Sequence, residues 1–295
     1  MLSNSIKKAI EESGYLLEFR IATNLTKMGY FTIPNYAFQD PDTGENKVVD
    51  IKAVGAEKIT ARRGEFVFPI LLIECKNIKV PLVFFTFKEL KLSSFLGKLH
   101  LSGIPKKIKA KTGQEKDLLD YLNIEKFHHY YKTGKLSSHF CGVIHKGNEY
   151  IPTHDLEGRT GNLYQTAIFP LIKAVHHDKQ IYEKSLRPNV IDLQFYYPIF
   201  VVPGPIYECS FENAKPKYKK TEVVNFMVRY ESAKMETAYL IDVVTEKKFP
   251  DLLVDIESEN KKMSNLIKKR RDDLIKNVSR ITQEKNYFSE KINFN

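Results

Sequence analysis

Long apolar runs are missing from this chain. No stretch approaches the roughly 20 residues that a bilayer-crossing helix needs, so no membrane partner is expected. The opening MLSNSIKKAIEESGYLLEF is interrupted by charge too often to read as a secretory signal. Cysteine is scarce. Cys75, Cys141 and Cys209 stand far apart, in odd number and without metal-knuckle spacing, which excludes a disulfide framework and fits a reducing compartment. The expected location is therefore the cytoplasm. No P-loop, G-x-G-x-x-G or G-x-S-x-G occurs, so ATP use and acyl transfer have no support. Repeats and low-complexity linkers are absent too. Acidic residues are in deficit: 36 Asp and Glu face 46 Lys and Arg, a net charge of +10. A basic excess of this kind suits a polyanionic partner, nucleic acid ahead of a membrane surface.

What the chain does have is core-forming material. Of its 295 residues, 42% are hydrophobic and 12% aromatic, which argues against wholesale disorder. Ile6, Ile10, Leu17, Ile21, Leu25 and Met28 recur near helical spacing, with Gly14 placed to divide the helix and Gly29 to end it. YFTIPNYAF reads as extended, QDPDTGEN (39–46) as a turn, KVVDIKAV (47–54) as a strand, 55–65 as a polar loop, and FVFPILLIECKN as a further strand. Residues 84–135 read as a helical insertion with a basic joint. A strand follows at 138–146, and then a long helix over 161–186 with Pro170 as a kink. Two strands are expected within 189–211, a hairpin over 221–245, and a charged helical tail over 249–295. The architecture expected is one α/β domain with a mixed central sheet flanked by helices.

The chemistry concentrates in the first strands. VVDIKAV carries Asp50 among apolar neighbours, and LLIECK carries Glu74 and Lys76. Residues two apart on a strand project to one face, so Glu74 and Lys76 point the same way. If the two strands pair, Asp50 stands beside Glu74. Converging carboxylates repel unless a cation neutralises them, and oxygen ligands select Mg²⁺ or Mn²⁺. A neighbouring lysine can position a water, help activate it or stabilise developing negative charge. The competing reading of E-x-K, an exposed ion pair on an edge strand worth about 0–1 kcal/mol, fits poorly after so apolar a run.

The order GYLLEFRIATNLTKMGY, VVDIKAV, LLIECKN resembles the PD-(D/E)XK, or restriction-endonuclease-like, superfamily over about the first 80 residues. That family has a helix and three strands, with an acid on the second strand and a (D/E)-x-K on the next. Its members cut nucleic acid with Mg²⁺. The resemblance implies Asp50 and Glu74 as metal ligands, Lys76 as the catalytic lysine, Glu18 as a leading-helix carboxylate facing the metal, and the Cys75 carbonyl as a further ligand. Val49 stands where the family motif has proline. Gln165 matches a glutamine that some members place on a later helix to contact substrate. The resemblance also implies a role in restriction or anti-phage defence, as a homodimer or with a partner subunit, and DNA before RNA as substrate.

Backbone contacts to nucleic acid are expected from basic segments. The preferred one is 103–116, with Lys106, Lys107, Lys109 and Lys111; Arg62 and Arg63 lie in the loop between the acidic strands. AKPKYKK (214–220) and LIKKRRDDLIK (266–276) are further basic stretches, the latter read as a solvated helix face. The His pairs in FHHYY and VHHDK read as surface or core-edge histidines, since adjacent helical residues diverge by about 100°. The leading reading is a Mg²⁺-dependent nuclease. The alternative is a non-catalytic nucleic-acid-binding or scaffold protein that keeps the fold, and a third is an assembly protein dimerising through the C-terminal helix.

Overall fold

The computed structural model of the chain describes residues 3–60, 64–87, 99–105, 107–109, 113–132, 134–153, 155–156, 161–184 and 190–278. Helix α1 (Asn4–Glu12) starts at Ser3, whose hydroxyl accepts from the Ile6 N–H, and α2 (Tyr15–Lys27) follows across Gly14. Helix α2 stops at Gly29, which takes φ 86°. Tyr30 N–H bonds the Leu25 carbonyl and Gly29 N–H that of Thr26, a pairing that needs a left-handed residue at this position. Strands β1 (Phe31–Gln39) and β2 (Asn46–Val54) form an antiparallel hairpin around the expected turn. The two-residue β3 (Glu57–Lys58) and the long β4 (Phe66–Cys75) complete the first unit.

Beyond it come β5 (Leu82–Phe87), β6 (His100–Ser102), β7 (Lys107–Lys109), β8 (Glu115–Asp117), α3 (Leu118–Leu122) and α4 (His129–Lys132). Then follow β9 (Leu136–Lys146), β10 (Glu149–Thr153), β11 (Asp155–Leu156) and β12 (Gly161–Asn162). A π-helical turn (Tyr164–Ile168) leads into α5 (Phe169–Lys184). Pro170 has no N–H to give the helical ladder, and the wider turn just before it absorbs the gap. The chain closes with β13 (Asp192–Val202), β14 (Ile206–Glu212), β15 (Lys215–Thr221), β16 (Val223–Glu231), β17 (Glu236–Thr245) and α6 (Phe249–Lys269).

The fold is α/β: a large mixed sheet flanked by helices. Its order is β1-β2-β4-β13-β17-β16-β9-β5-β14-β15, with β4, β13 and β17 parallel and β2 antiparallel to β4. Strand β4 is therefore central, as its apolar run implied. Its alternation feeds two cores. Leu71, Ile73 and Cys75 pack with Leu17, Ile21 and Leu25 of α2 and with Leu253 and Ile256 of α6. Ile70 and Leu72 pack on the other face with Leu171, Ile172 and Val175 of α5. Each such side chain stabilises the fold by roughly 1.5–3 kcal/mol when fully buried. No helix among the described residues is long and apolar enough to cross a membrane.

Two segments differ from the sequence reading. Among the described residues of 84–135, strands stand beside the expected helices: β5 joins the main sheet, β6 pairs with β13, and β7 pairs with β8 in a separate two-stranded sheet ahead of α3 and α4. Charges mask the strand period in β7, where only Ile108 between Lys107 and Lys109 is buried. The expected C-terminal helix is present as α6, but it is docked on the sheet rather than solvated. Leu252, Leu253, Ile256, Met263 and Ile267 of α6 are buried in the core, as is Leu274 in a further helical stretch over 271–278. Arg271 Nε donates to Glu65 at 2.9 Å and fastens that stretch. The apolar face assigned to dimerisation lies inside the chain's own core. The last part of the tail, 279–295, is outside the described residues.

One backbone contact sets a sharp test of this packing. Gly103, beside β6, has φ 104°, and a Cβ there would stand 1.7 Å from the Asp192 carbonyl oxygen of β13. Gly103→Ala is expected to destabilise by at least about 2–3 kcal/mol, read as a lower urea midpoint with an unchanged slope.

Candidate active site

Ile51 of β2 pairs with Ile73 of β4 where the shared ladder ends, and antiparallel register brings the next residues, Asp50 and Glu74, opposite each other. Strand β2 also changes face here. Val49 packs into the α5-side core and Ile51, two residues on, into the α2-side core. The hairpin register sets Pro34 against Ile51 and Tyr36 against Val49, leaving Asp50 level with Asn35, whose φ is 49°. This local distortion frees Asp50 from either core. Its Oδ2 accepts from the Cys75 N–H at 2.7 Å and stands 3.9 Å from Lys76 Nζ.

Glu74 is 3% exposed, and its Oε1 accepts from Lys76 Nζ. Its Oε2 is buried with no hydrogen-bond partner. Burial first, and the Asp50 charge second, push the Glu74 carboxyl up to about 8. Burial likewise raises Asp50 above the usual carboxylate range, against the pull of Lys76 and the Cys75 N–H. For Lys76, burial acts downward, but the charges of Glu74 and Asp50 outweigh it and hold the ammonium above the ordinary lysine value.

Glu18 sits in the first turn of α2, where the helix dipole favours a carboxylate. Its Oε1 folds back toward Gly14, 3.2 Å from where a Cβ would stand. Burial of Leu17, Ile21 and Leu25 sets the rotation of α2, and Arg20 Nη2 on its exposed side donates to Glu246 at 3.1 Å. Burial and then the Asp50 charge raise the Glu18 carboxyl, while Lys76 lowers it, so Glu18 lies within electrostatic range of the pair. Two carboxyls with raised affinity for protons thus flank one ammonium, with Glu18 as a third in electrostatic range. The cluster is under-neutralised, and its donors are all oxygen.

Cys75 contributes through its backbone. Its thiol packs in the core, pushed well up by burial, which makes it inert as a nucleophile. An extended residue presents N–H and C=O to the same neighbouring strand. Since the Cys75 N–H meets Asp50, its carbonyl turns to the Asp50 side too. Gln165 is exposed on the π turn. Tyr182, near the far end of α5, donates to the Asp192 carbonyl, level with Phe66 at the start of β4. The Gln165 end of the helix therefore lies toward the Glu74 end of β4. Lys107 and Lys109 are exposed, but on the separate β7–β8 sheet. Arg62, Arg63, Lys106 and Lys111 lie outside the described residues.

A second polar cluster was not anticipated. His128 and His129 are not surface or core-edge residues: both are buried, His128 fully. His129 Nδ1 lies 2.9 Å from Glu259 of α6, and its Nε2 lies 3.0 Å from Asp242 of β17. Asn225 donates to Asp242 at 2.8 Å. Burial acts to lower the His129 pKa, but the two carboxylates raise it to about 10, so it is an imidazolium. Burial keeps His128 neutral. Ligand atoms of His128, His129 and Glu259 fall within 4.8 Å of one another. The two imidazoles, however, stack at 4.7 Å with only 20° between their planes. Their in-plane lone pairs do not meet at one point, so the cluster reads as an ion triad. The only sequence signal was the burial implied by the adjacent aromatic residues. Comparison of the chain with protein-family models, with curated proteins and with solved structures finds no match.

Proposed function

We propose that this protein is a Mg²⁺-dependent nuclease of the restriction-endonuclease-like kind, acting on DNA. The observation that carries the reading is the meeting of Asp50, Glu74 and Lys76 at the end of two central strands, with Glu74 Oε2 buried and unpartnered. An orphaned buried carboxylate oxygen is costly. A hard divalent cation among oxygen donors would compensate it. Asp50 and Glu74 would hold that ion, with Glu18 and the Cys75 carbonyl completing the set. The order of α2, β1, β2 with Asp50, the two-residue β3, and β4 ending in Glu74-Cys75 just before Lys76 agrees with the same family reading.

Bound Mg²⁺ supplies Lewis-acid stabilisation of phosphate charge and a more acidic water. The Cys75 N–H holds Asp50 in place, and the β2–β4 ladder holds Glu74. Lys76, beside both carboxylates, would help to activate the attacking water as well as to place it. It donates hydrogen bonds, either to orient the attacking water or to stabilise charge developing on a phosphate oxygen. Gln165, exposed on the π turn before α5, would contact substrate by the family reading alone. A role in restriction or anti-phage defence follows from the family reading alone.

Purified protein incubated with plasmid and linear DNA should cleave in Mg²⁺ or Mn²⁺ and not in EDTA. Asp50→Ala and Lys76→Ala should each lose at least about 10²–10³-fold in rate. Cleavage that persists in either variant defeats the assignment. Salt-sensitive DNA binding with no metal-dependent cleavage would instead favour a non-catalytic binding protein.

A further inference from the structure

Strands β9 and β16 lie side by side in the sheet but share a single register pair, Ser137 with Phe226. Where they part, a cleft of about 280 Å³ opens. It lies along the sheet from β4 beyond β13 and β17, apart from the carboxylate–lysine cluster. Its inner lining is polar. Thr86, Ser137 and Asn225 are all buried, at positions where a sheet interior ordinarily takes aliphatic side chains. Thr86 Oγ1 and Ser137 Oγ share a hydrogen bond of 2.7 Å. The β5–β9 register shifts between Phe85 and Thr86, with Ser138 as the extra residue in β9. A bulge of this kind re-aims side chains, and here two hydroxyls line the cleft beside it. Nearer solvent, Lys135 Nζ donates to Glu208 Oε2 at 2.6 Å.

This lining selects by charge and by shape. It carries one ammonium and one carboxylate, paired with each other, so it is neutral as a whole. A phosphate would meet the Glu208 carboxylate with no surplus of positive charge to offset it. Hydroxyl, amide, ammonium and carboxylate groups together offer donors and acceptors in alternation, which suits a ligand whose own hydroxyls both donate and accept. Val223 and Val224 add apolar surface for ring C–H groups. Among the described residues no aromatic ring lines the cleft, so a nucleobase would have no stacking partner. The volume is at the small end for ligand pockets, which fits a single sugar ring.

We propose that this cleft binds a small uncharged polyol of monosaccharide or cyclitol size. The site is additional to the nuclease reading and does not depend on it. Asn225 Nδ2 also donates to Asp242 at 2.8 Å, and Asp242 holds His129. An occupant that contacts Asn225 therefore bears on the ion triad joining α4, β17 and α6, and should stabilise the fold.

The probes are D-ribose, D-glucose, D-galactose and myo-inositol, each titrated against the full chain and followed by saturation-transfer NMR. At least one should bind saturably in the millimolar range or tighter, and the same compound should raise Tm to a plateau. Sugars excluded from the surface stabilise proteins without a plateau, so the plateau marks occupancy. Glu208→Gln removes the carboxylate acceptor and should weaken binding at least about tenfold. Thr221→Phe sets a ring into the cleft at its edge and should abolish saturable binding. The two variants act by different means, and melting each one alone identifies a variant that has kept its fold. Three results overturn the proposal: no saturable binding by any of these compounds, affinity unchanged in a folded variant, or tighter binding of inorganic phosphate or adenosine than of the best polyol.

Discussion

Replacing Glu74 by glutamine is expected to abolish metal-dependent cleavage without unfolding the protein. Loss of activity should reach at least about a thousandfold, the upper range for removing one preorganised charge-stabilising group. Stability should move the other way or not at all. Glu74 is almost fully buried, shares its position with Asp50 and leaves Oε2 without a partner. Glutamine has nearly the same shape and carries no charge into the interior, so the cost of burying an under-compensated carboxylate disappears. A thermal-shift series separates these effects. Mg²⁺ should raise the Tm of the wild type by binding the folded state alone, and it should leave Glu74→Gln unmoved. A variant that still responds to Mg²⁺ as the wild type does would remove Glu74 from the ligand set.

The second large effect is on the fold itself. Glu259→Ala or His129→Ala should destabilise by about 3–5 kcal/mol, because removing one member of a buried ion group strands the others without compensation. In a chain of this size that corresponds to a Tm lower by on the order of 10 °C. The triad joins α4, β17 and α6, so its loss loosens the α2–α6 face of the sheet. Its pH dependence has a definite sign. The His129 pKa is raised to about 10 from an ordinary 6.5, so the folded state holds a proton that the unfolded chain releases. The resulting stability is fully present below pH 6.5 and is lost as pH rises through about 10. Urea midpoints measured from pH 6 to pH 10 should therefore fall more steeply for the wild type than for His129→Gln. Parallel slopes would mean that His129 is not held as an imidazolium.

The elements around the candidate site were legible because their signals are local. FPILLIECKN is apolar on both faces of a strand, and the structure buries Leu71 and Ile73 on one side and Ile70 and Leu72 on the other. Gly29 ends α2 by a rule that involves only five neighbours. The segments misread were those where charge overlays the period. In β7, lysines flank a single buried isoleucine, and in α6 the polar Glu259, Asn260 and Ser264 break the apolar stripe although all three are buried. Their interior partners cannot be seen from nearby sequence. Asn260 donates to the Tyr197 hydroxyl at 3.0 Å, and Ser264 to the Lys58 carbonyl at 2.8 Å.

By itself the sequence determined that Glu74 and Lys76 share one side of a central strand, because a strand's period of two permits nothing else. It also put Asp50 on an earlier strand and Glu18 on the leading helix. Only the tertiary structure decided that these groups converge. That depended on the β2–β4 register, on the change of face at Asp50, and on the burial of Leu17, Ile21 and Leu25 that sets the turn of α2. It alone placed His129 between carboxylates 113 and 130 residues further along the chain. The physical reason is the same in both cases. Backbone geometry acts between adjacent residues and is written locally, whereas electrostatic partnership acts through space and exists only once distant segments have packed together.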